Sequence, residues 1–216
     1  MSWAALDADV RHGAKRHFLD TVGVIIAGSA SVLADRAETM LAGVRSAGHI
    51  PVPGRRRRAD LLDTAYLAGT AGHGIELDDG YRQGSVHPGV TVVPAVIALG
   101  YKAGLSGRAA LEATVIGYEV VTAIARACHP DLRQRGFHPT GAVGVFGAAA
   151  SSARMLGLTA AQTSNALGLA ASSAAGLFAF IHGGADIKRH AGHAAREGLQ
   201  AALVAQQGVG KARRMC

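Results

Sequence analysis

Residues 136–185 carry one charged side chain, Arg154, in a stretch made mostly of Gly, Ala, Ser, Thr, Val and Leu. So little charge does not suit a surface, and so few bulky side chains can fill a core only where backbones approach closely. The length would admit a membrane span of about 20 apolar residues. However, Gly157-Leu-Thr159 punctuates the segment into two helices of ordinary soluble length, and its small polar residues outnumber Leu and Ile. A buried helix pair is the expectation, with no membrane contact. Gly141, Gly144, Ala148 and Ser152 recur at a spacing that stacks small residues on one helix face. The rest of the chain agrees: 216 residues include 29 Gly, 49% are hydrophobic and only 5% aromatic. The predicted fold class is all-α, a single domain of closely packed Ala/Gly-rich helices. Strand signals are confined to short pieces such as Val90 to Val93.

Apolar spacing and punctuation predict helices over about 9–27, 34–47, 59–71, 94–104, 106–127, 139–156, 159–173 and 191–207. Ser106 is a candidate N-cap, Pro139 suits a first helical turn, and Thr159-Ala-Ala-Gln162 matches a capping box. Residues 48–58, with Pro51, Pro53 and Gly54, read as a loop.

Two cysteines, Cys128 and Cys216, are too few for a disulfide framework and are not spaced as a zinc pair, and the acidic N-terminus lacks a secretory pattern. A cytoplasmic setting is expected. Net charge is +7, with its strongest cluster at Arg55 to Arg58. Without interleaved aromatics that run reads as a solvated turn rather than a nucleic-acid interface, and the positive excess suits a small anionic substrate. A non-catalytic basic helical binding protein is the alternative.

Chemistry-bearing residues gather in three islands: residues 73–88, with His73, Glu76, Asp78, Asp79 and His87; residues 135–141, with His138; and residues 186–190, with Asp186, Lys188, Arg189 and His190. Titratable groups beside glycine, between apolar helices, suggest one shared site. Asp78 and Asp79 are adjacent and must point in different directions, so one of them faces the site. His87 and His138 each precede a proline, which restricts the backbone and aims the ring. A helix N-terminus also favours the neutral imidazole, a usable base near pH 7. No nucleophile elbow, P-loop, HExxH, EF-hand or dinucleotide fingerprint occurs. Histidine, aspartate and lysine without metal or nucleotide fit proton transfer beside a carboxylate: elimination of water, epimerisation or decarboxylation.

His73-Gly-Ile-Glu-Leu-Asp-Asp, His87-Pro, Gly117-Tyr-Glu, Arg135-Gly-Phe-His-Pro-Thr-Gly and Lys188-Arg-His-Ala-Gly-His together resemble the MmgE/PrpD family, whose members include 2-methylcitrate dehydratase and cis-aconitate decarboxylase. The similarity covers about residues 5–208. It implies a helical domain followed by an α+β lid domain, a homodimer, no metal or cofactor, and lyase chemistry on small di- or tricarboxylates. On this chain the resemblance assigns His87, His138 and Asp78 to catalysis, and Glu76, Asp79, Lys188, Arg189 and His190 to substrate binding.

Glu76 stands where the family has an aspartate and Gly80 where a threonine is common. His190 follows Arg189 directly, where the family pattern places a residue between them; such a loss would rotate the following helix by about 100°. Residues 5–207 are expected to form the helical domain and 208–216 an atypical tail, with the lid absent. A chain of this kind is expected to have little activity alone.

Overall fold

The computed structural model describes residues 2–44, 48–179 and 188–210. Asp186, Gly183-Gly184 and residues 211–216 of the expected tail lie outside the described residues. Those described form helices α1 (Ala8–Gly28), α2 (Val32–Val44), α3 (Leu61–His73), α4 (Gly89–Ala103), α5 (Gly107–Cys128), α6 (Asp131–Gln134), α7 (Pro139–Met155), α8 (Ala160–Ala171) and α9 (His190–Gln206), with a two-stranded antiparallel hairpin of β1 (Ile50–Pro51) and β2 (Arg58–Ala59). The mainly helical fold is as expected, and most helices begin on the residues that the sequence marks. Ser106 Oγ accepts from Ala109 N at 3.3 Å, the Thr159–Gln162 capping box is complete, and Pro139 occupies the first position of α7.

Three elements differ from expectation, the first being the four-residue α6, which falls between two predicted helices. The loop over 48–58 contains the hairpin, in which Ile50 pairs with Ala59, and its Val52 and Ala59 pack with Leu41, Tyr66 and Leu67. Strands of two residues are too short to leave a periodic signal. The valine run before Pro94 is not strand-like but the opening turn of α4, which therefore starts at Gly89 rather than Pro94. Val90, Val92 and Val93 are fully buried on that helix. Burial on every side outweighs β-branched propensity, which is worth only tenths of a kcal/mol per residue.

The arginine cluster folds back on the protein. Arg55 reaches Asp35 at 2.6 Å and Glu38 at 3.4 Å, Arg57 donates to the Glu38 carbonyl, and Arg58 donates to the His49 carbonyl at 2.7 Å. Arg56 and Arg58 stay exposed, as a solvated turn requires.

Helix α7 is the centre of the domain, packed by α4, α5, α8 and α9, while α3 closes the layer against α4 and α9. Its small-residue composition has a direct consequence. A Cβ placed on Gly69 of α3 would stand 2.8 Å from Gly192 Cα of α9, and one on Gly198 of α9 would stand 2.6 Å from Ala148 Cβ of α7. Backbones approach closely at both crossings, and the second lies on the small-residue stripe of α7. No single helix among the described residues is long and apolar enough to cross a membrane.

Overpacking these crossings has a measurable cost: Gly198→Val should destabilise the domain by roughly 1–3 kcal/mol. In urea unfolding it should lower the midpoint without changing the slope.

Candidate active site

Close packing of α3, α4, α7 and α9 brings four histidines together at four helix ends. His73 is the last residue of α3, His87 precedes the Pro88 that opens α4, His138 is the N-cap of α7, and His190 is the first residue of α9. The His73 and His138 rings lie nearly parallel, with centroids 5.4 Å apart and planes inclined by 19°. His87 is 5.2 Å from His73, and His190 is 5.4 Å from His138. Residues of all three sequence islands therefore converge in space.

Asp78 lies inside this cluster. Its side chain is 1% exposed, and Oδ2 accepts from His73 Nδ1 at 2.7 Å and lies 3.3 Å from His87 Nδ1. A buried carboxylate must be supplied with donors or it is expelled. The His87 Nδ1 also lies 2.7 Å from the Asp79 main-chain oxygen. A carbonyl can only accept, so the His87 proton sits on Nδ1 and Nε2 keeps its lone pair.

Asp79 points the other way. Its Oδ1 accepts from Gly89 N at 2.9 Å, at the start of α4, and its Oδ2 lies 3.7 Å from His17 of α1. The Tyr118 hydroxyl of α5 is close by, buried and without a hydrogen-bond partner among the described residues. Burial raises the Asp79 carboxyl above its usual range, against the lowering effect of the Gly89 bond and of the nearby Tyr118 hydroxyl. Burial likewise raises the Tyr118 phenol, followed by the nearby Asp79 charge. The close fit requires Gly89: a Cβ there would stand 2.8 Å from Asp79 Oδ1 and 2.7 Å from the Tyr118 hydroxyl. Asp79 thus ties the loop to the start of α4 beside α1 and α5, while Asp78 is the acid that faces the histidines, as adjacency demanded.

Lys188, in a short 3-10 turn before α9, is buried and forms an ion pair with the exposed Glu76. Burial lowers the lysine below its ordinary value. Glu76 adopts a left-handed backbone, φ 58°, unusual for a residue with a side chain. Arg189 is exposed, and His190 Nδ1 meets His138 Nδ1 at 3.2 Å. The shortened Lys-Arg-His segment still delivers both Lys188 and His190 to the cluster, one side chain on each side of Arg189.

A cavity of about 350 Å³, open to solvent, is lined by Tyr81, Arg82, Ser85, His87, Arg133, His138 and Phe178 among others. Sequence reasoning missed the contributions of Arg133 and Phe178. Phe178 packs edge-on against His138 with centroids 5.4 Å apart, and Arg133 lies 4.9 Å over the Phe178 ring. Neither belongs to a sequence island with a charge pattern, so nothing local marked them. The Thr140 hydroxyl, which accepts from His87 N at 3.2 Å, was also overlooked. His73 stood in the first island without an assigned role.

The neutral imidazole is the favoured form of His73, His138 and His190. Burial lowers His138 to about 3, helped by His73 and His190, and lowers His190 to about 4, helped by Arg189. His73 is also lowered: burial outweighs the hydrogen bond and charge of Asp78, which act in the opposite direction. Ligand atoms of His73, Asp78 and His87 lie within 4.8 Å of one another, a spacing that could hold a metal ion. In the described arrangement the Nδ1 atoms of both histidines are committed as hydrogen-bond donors, while His73 Nε2 and Asp78 Oδ1 are buried without a partner among the described residues.

A cluster of mostly buried histidines beside a cavity lined by Arg82 and Arg133 is an arrangement able to exchange protons with an anion. The chain belongs to the MmgE/PrpD family: the family's N-terminal domain matches residues 1–215. It is 31% identical over 211 residues to a cis-aconitate decarboxylase-like protein, oryM, of Aspergillus oryzae, a match that covers 94% of this chain and 44% of that protein. It is also 31% identical to a cis-aconitate decarboxylase of Aspergillus terreus, over 69% of this chain and 31% of the relative, and 32% identical to the human cis-aconitate decarboxylase, over 67% and 31%. The chain thus spans less than half the length of these relatives.

The histidines set an acid limit on stability. His138 titrates near 3 when folded and near 6.5 when unfolded, so its contribution is complete above pH 6.5 and declines as pH falls toward 3. The slope for this buried group is at most about 1.4 kcal/mol per pH unit. Thermal unfolding midpoints should therefore drop between pH 7 and pH 5, and less steeply in His138→Gln.

Proposed function

We propose that this chain carries the proton-transfer half of a lyase site that acts on small di- or tricarboxylates, cis-aconitate and 2-methylcitrate among them, by dehydration or decarboxylation. The observation that carries the reading is His87: its Nδ1 is tied to the Asp79 carbonyl while the ring lines the open cavity, so Nε2 is the nitrogen left to exchange a proton with a bound acid. Arg82 and Arg133 line the same cavity and supply the positive charge that substrate carboxylates need. His138, held neutral, can pass a proton within the cluster. In a dehydration His87 removes a proton from the carbon next to a carboxylate while the C–O bond on the neighbouring carbon breaks and the hydroxide leaves, taking up a proton, as water. In a decarboxylation the C–C bond to the carboxylate breaks, carbon dioxide leaves, and protonated His87 delivers its proton to the resulting carbanion. His87, His138 and Asp78 are the proposed catalytic group, and Lys188 is the proposed substrate contact on the α9 side. Glu76, Arg189 and His190 flank that contact, and no metal or cofactor takes part.

The family relationship and the names of the relatives support the substrate class. A homodimer is part of the same proposal, supported by the apolar side chains Leu19, Ile26, Val32, Met40 and Val44 that α1 and α2 expose. The cavity is open on one side, and a site that cannot exclude water gives weak electrostatic stabilisation of a transition state. Binding without efficient turnover is therefore the expected behaviour of these 216 residues.

Titration calorimetry with cis-aconitate should show binding that weakens about tenfold, or 1.4 kcal/mol, in Arg133→Ala. Turnover should be slight and should vanish in His87→Ala. Absence of binding by any di- or tricarboxylate would overturn the substrate class, and rapid turnover would overturn the expected inactivity. Sedimentation equilibrium should give a dimer mass.

A further inference from the structure

His73 is the most enclosed of the four histidines, and neither motif nor cavity gives it a task. It is 1% exposed, its Nδ1 bonds to Asp78 Oδ2 at 2.7 Å, and its Nε2 is buried without a hydrogen-bond partner among the described residues. Its ring contacts both His87 and His138. A buried histidine that satisfies one carboxylate oxygen and otherwise only packs would pass for a core residue, were it not for what that oxygen would do if left alone.

Asp78 Oδ2 and the Asp79 carbonyl compete for a single proton, the one on His87 Nδ1. The carbonyl holds it at 2.7 Å, and the carboxylate stands 3.3 Å away. Charge-assisted hydrogen bonds are about twice as strong as neutral ones, so an unoccupied carboxylate would win that competition. It does not win because the 2.7 Å bond from His73 holds the carboxylate where the His87 N–H is not aligned with it, even though Asp78 Oδ1 has no hydrogen-bond partner among the described residues. We propose that His73 is a positioning residue that aims His87: by holding the Asp78 carboxylate in that orientation it leaves the His87 N–H to the Asp79 carbonyl, and so fixes where His87 Nε2 points in the cavity. The catalytic meaning of this aim rests on the proposed function above, but the geometry itself can be tested without substrate.

Two substitutions separate the donor from the packing. His73→Asn keeps a side-chain N–H close to the position of Nδ1 and loses the ring; His73→Phe keeps a ring against His138 and loses the donor. The measurement is proton and nitrogen-15 NMR of the histidine rings in the 216-residue chain, with thermal melting to establish that each variant is folded. The His87 Nδ1–H resonance is expected to stay in place in His73→Asn and to move downfield in His73→Phe, as its proton passes from a neutral carbonyl to a carboxylate. In the double variant His73→Phe with Asp78→Asn the resonance should return, since the competing charge is gone.

A resonance unmoved in His73→Phe, or moved equally in His73→Asn, would reduce His73 to packing and overturn the proposal. So would a double variant that remains shifted. If His73→Phe fails to fold, Asp78→Asn alone decides. An unchanged His87 resonance is expected, because His73 already keeps that proton away from Asp78; a large upfield movement would show that Asp78 was the true acceptor. None of these outcomes depends on binding cis-aconitate, so failure here and failure of the lyase reading are separable.

Discussion

Backbone contact between α3, α7 and α9 governs the rest of this structure. Where a side chain on Gly69, Gly192 or Gly198 would collide with the neighbouring helix, its absence lets the helix axes approach closely. Close axes bring helix ends together, and the chemistry of this chain is at its helix ends. His73, His138 and His190 converge because the helices that bear them touch, and His87 joins them because α4 packs against both α3 and α7.

Convergence creates an electrostatic problem that burial resolves. Four imidazoles within ring contact cannot all be charged, and removal from water disfavours the charged form of His73, His138 and His190. Those three rings are therefore held neutral, with the Asp78 carboxylate beside them. The carboxylate of Asp79 is directed to Gly89 and His17 instead, next to the Tyr118 hydroxyl, and sets the loop against α1, α4 and α5. One acid orders the histidines while its neighbour orders the loop, which is how two adjacent aspartates can both matter without sharing a task.

Much of this was legible in the sequence because it depends on local rules. Small residues at helical spacing announced close packing; Ser106, Pro139 and Thr159 marked helix starts; and three polar islands in an apolar chain announced a single site. What stayed hidden depends on distant partners. The valines before Pro94 resemble a strand until the helices that bury them are in place. Arg133 and Phe178 enter the cavity only after α6 and the segment following α8 are brought beside His138. Asp35, Glu38 and His49, the partners of Arg55, Arg57 and Arg58, lie outside the arginine run and nothing beside the run announces them.

By itself the sequence determined the helical class, the family and the residue types gathered at the site, since each follows from composition, spacing or motif. The tertiary structure alone decided which acid faces inward, which nitrogen of His87 carries the proton, and that His73 stands between Asp78 and His138. Those outcomes are set by distances of about 3 Å between residues on separate helices, and a linear pattern carries no information about them until packing has fixed the helix axes.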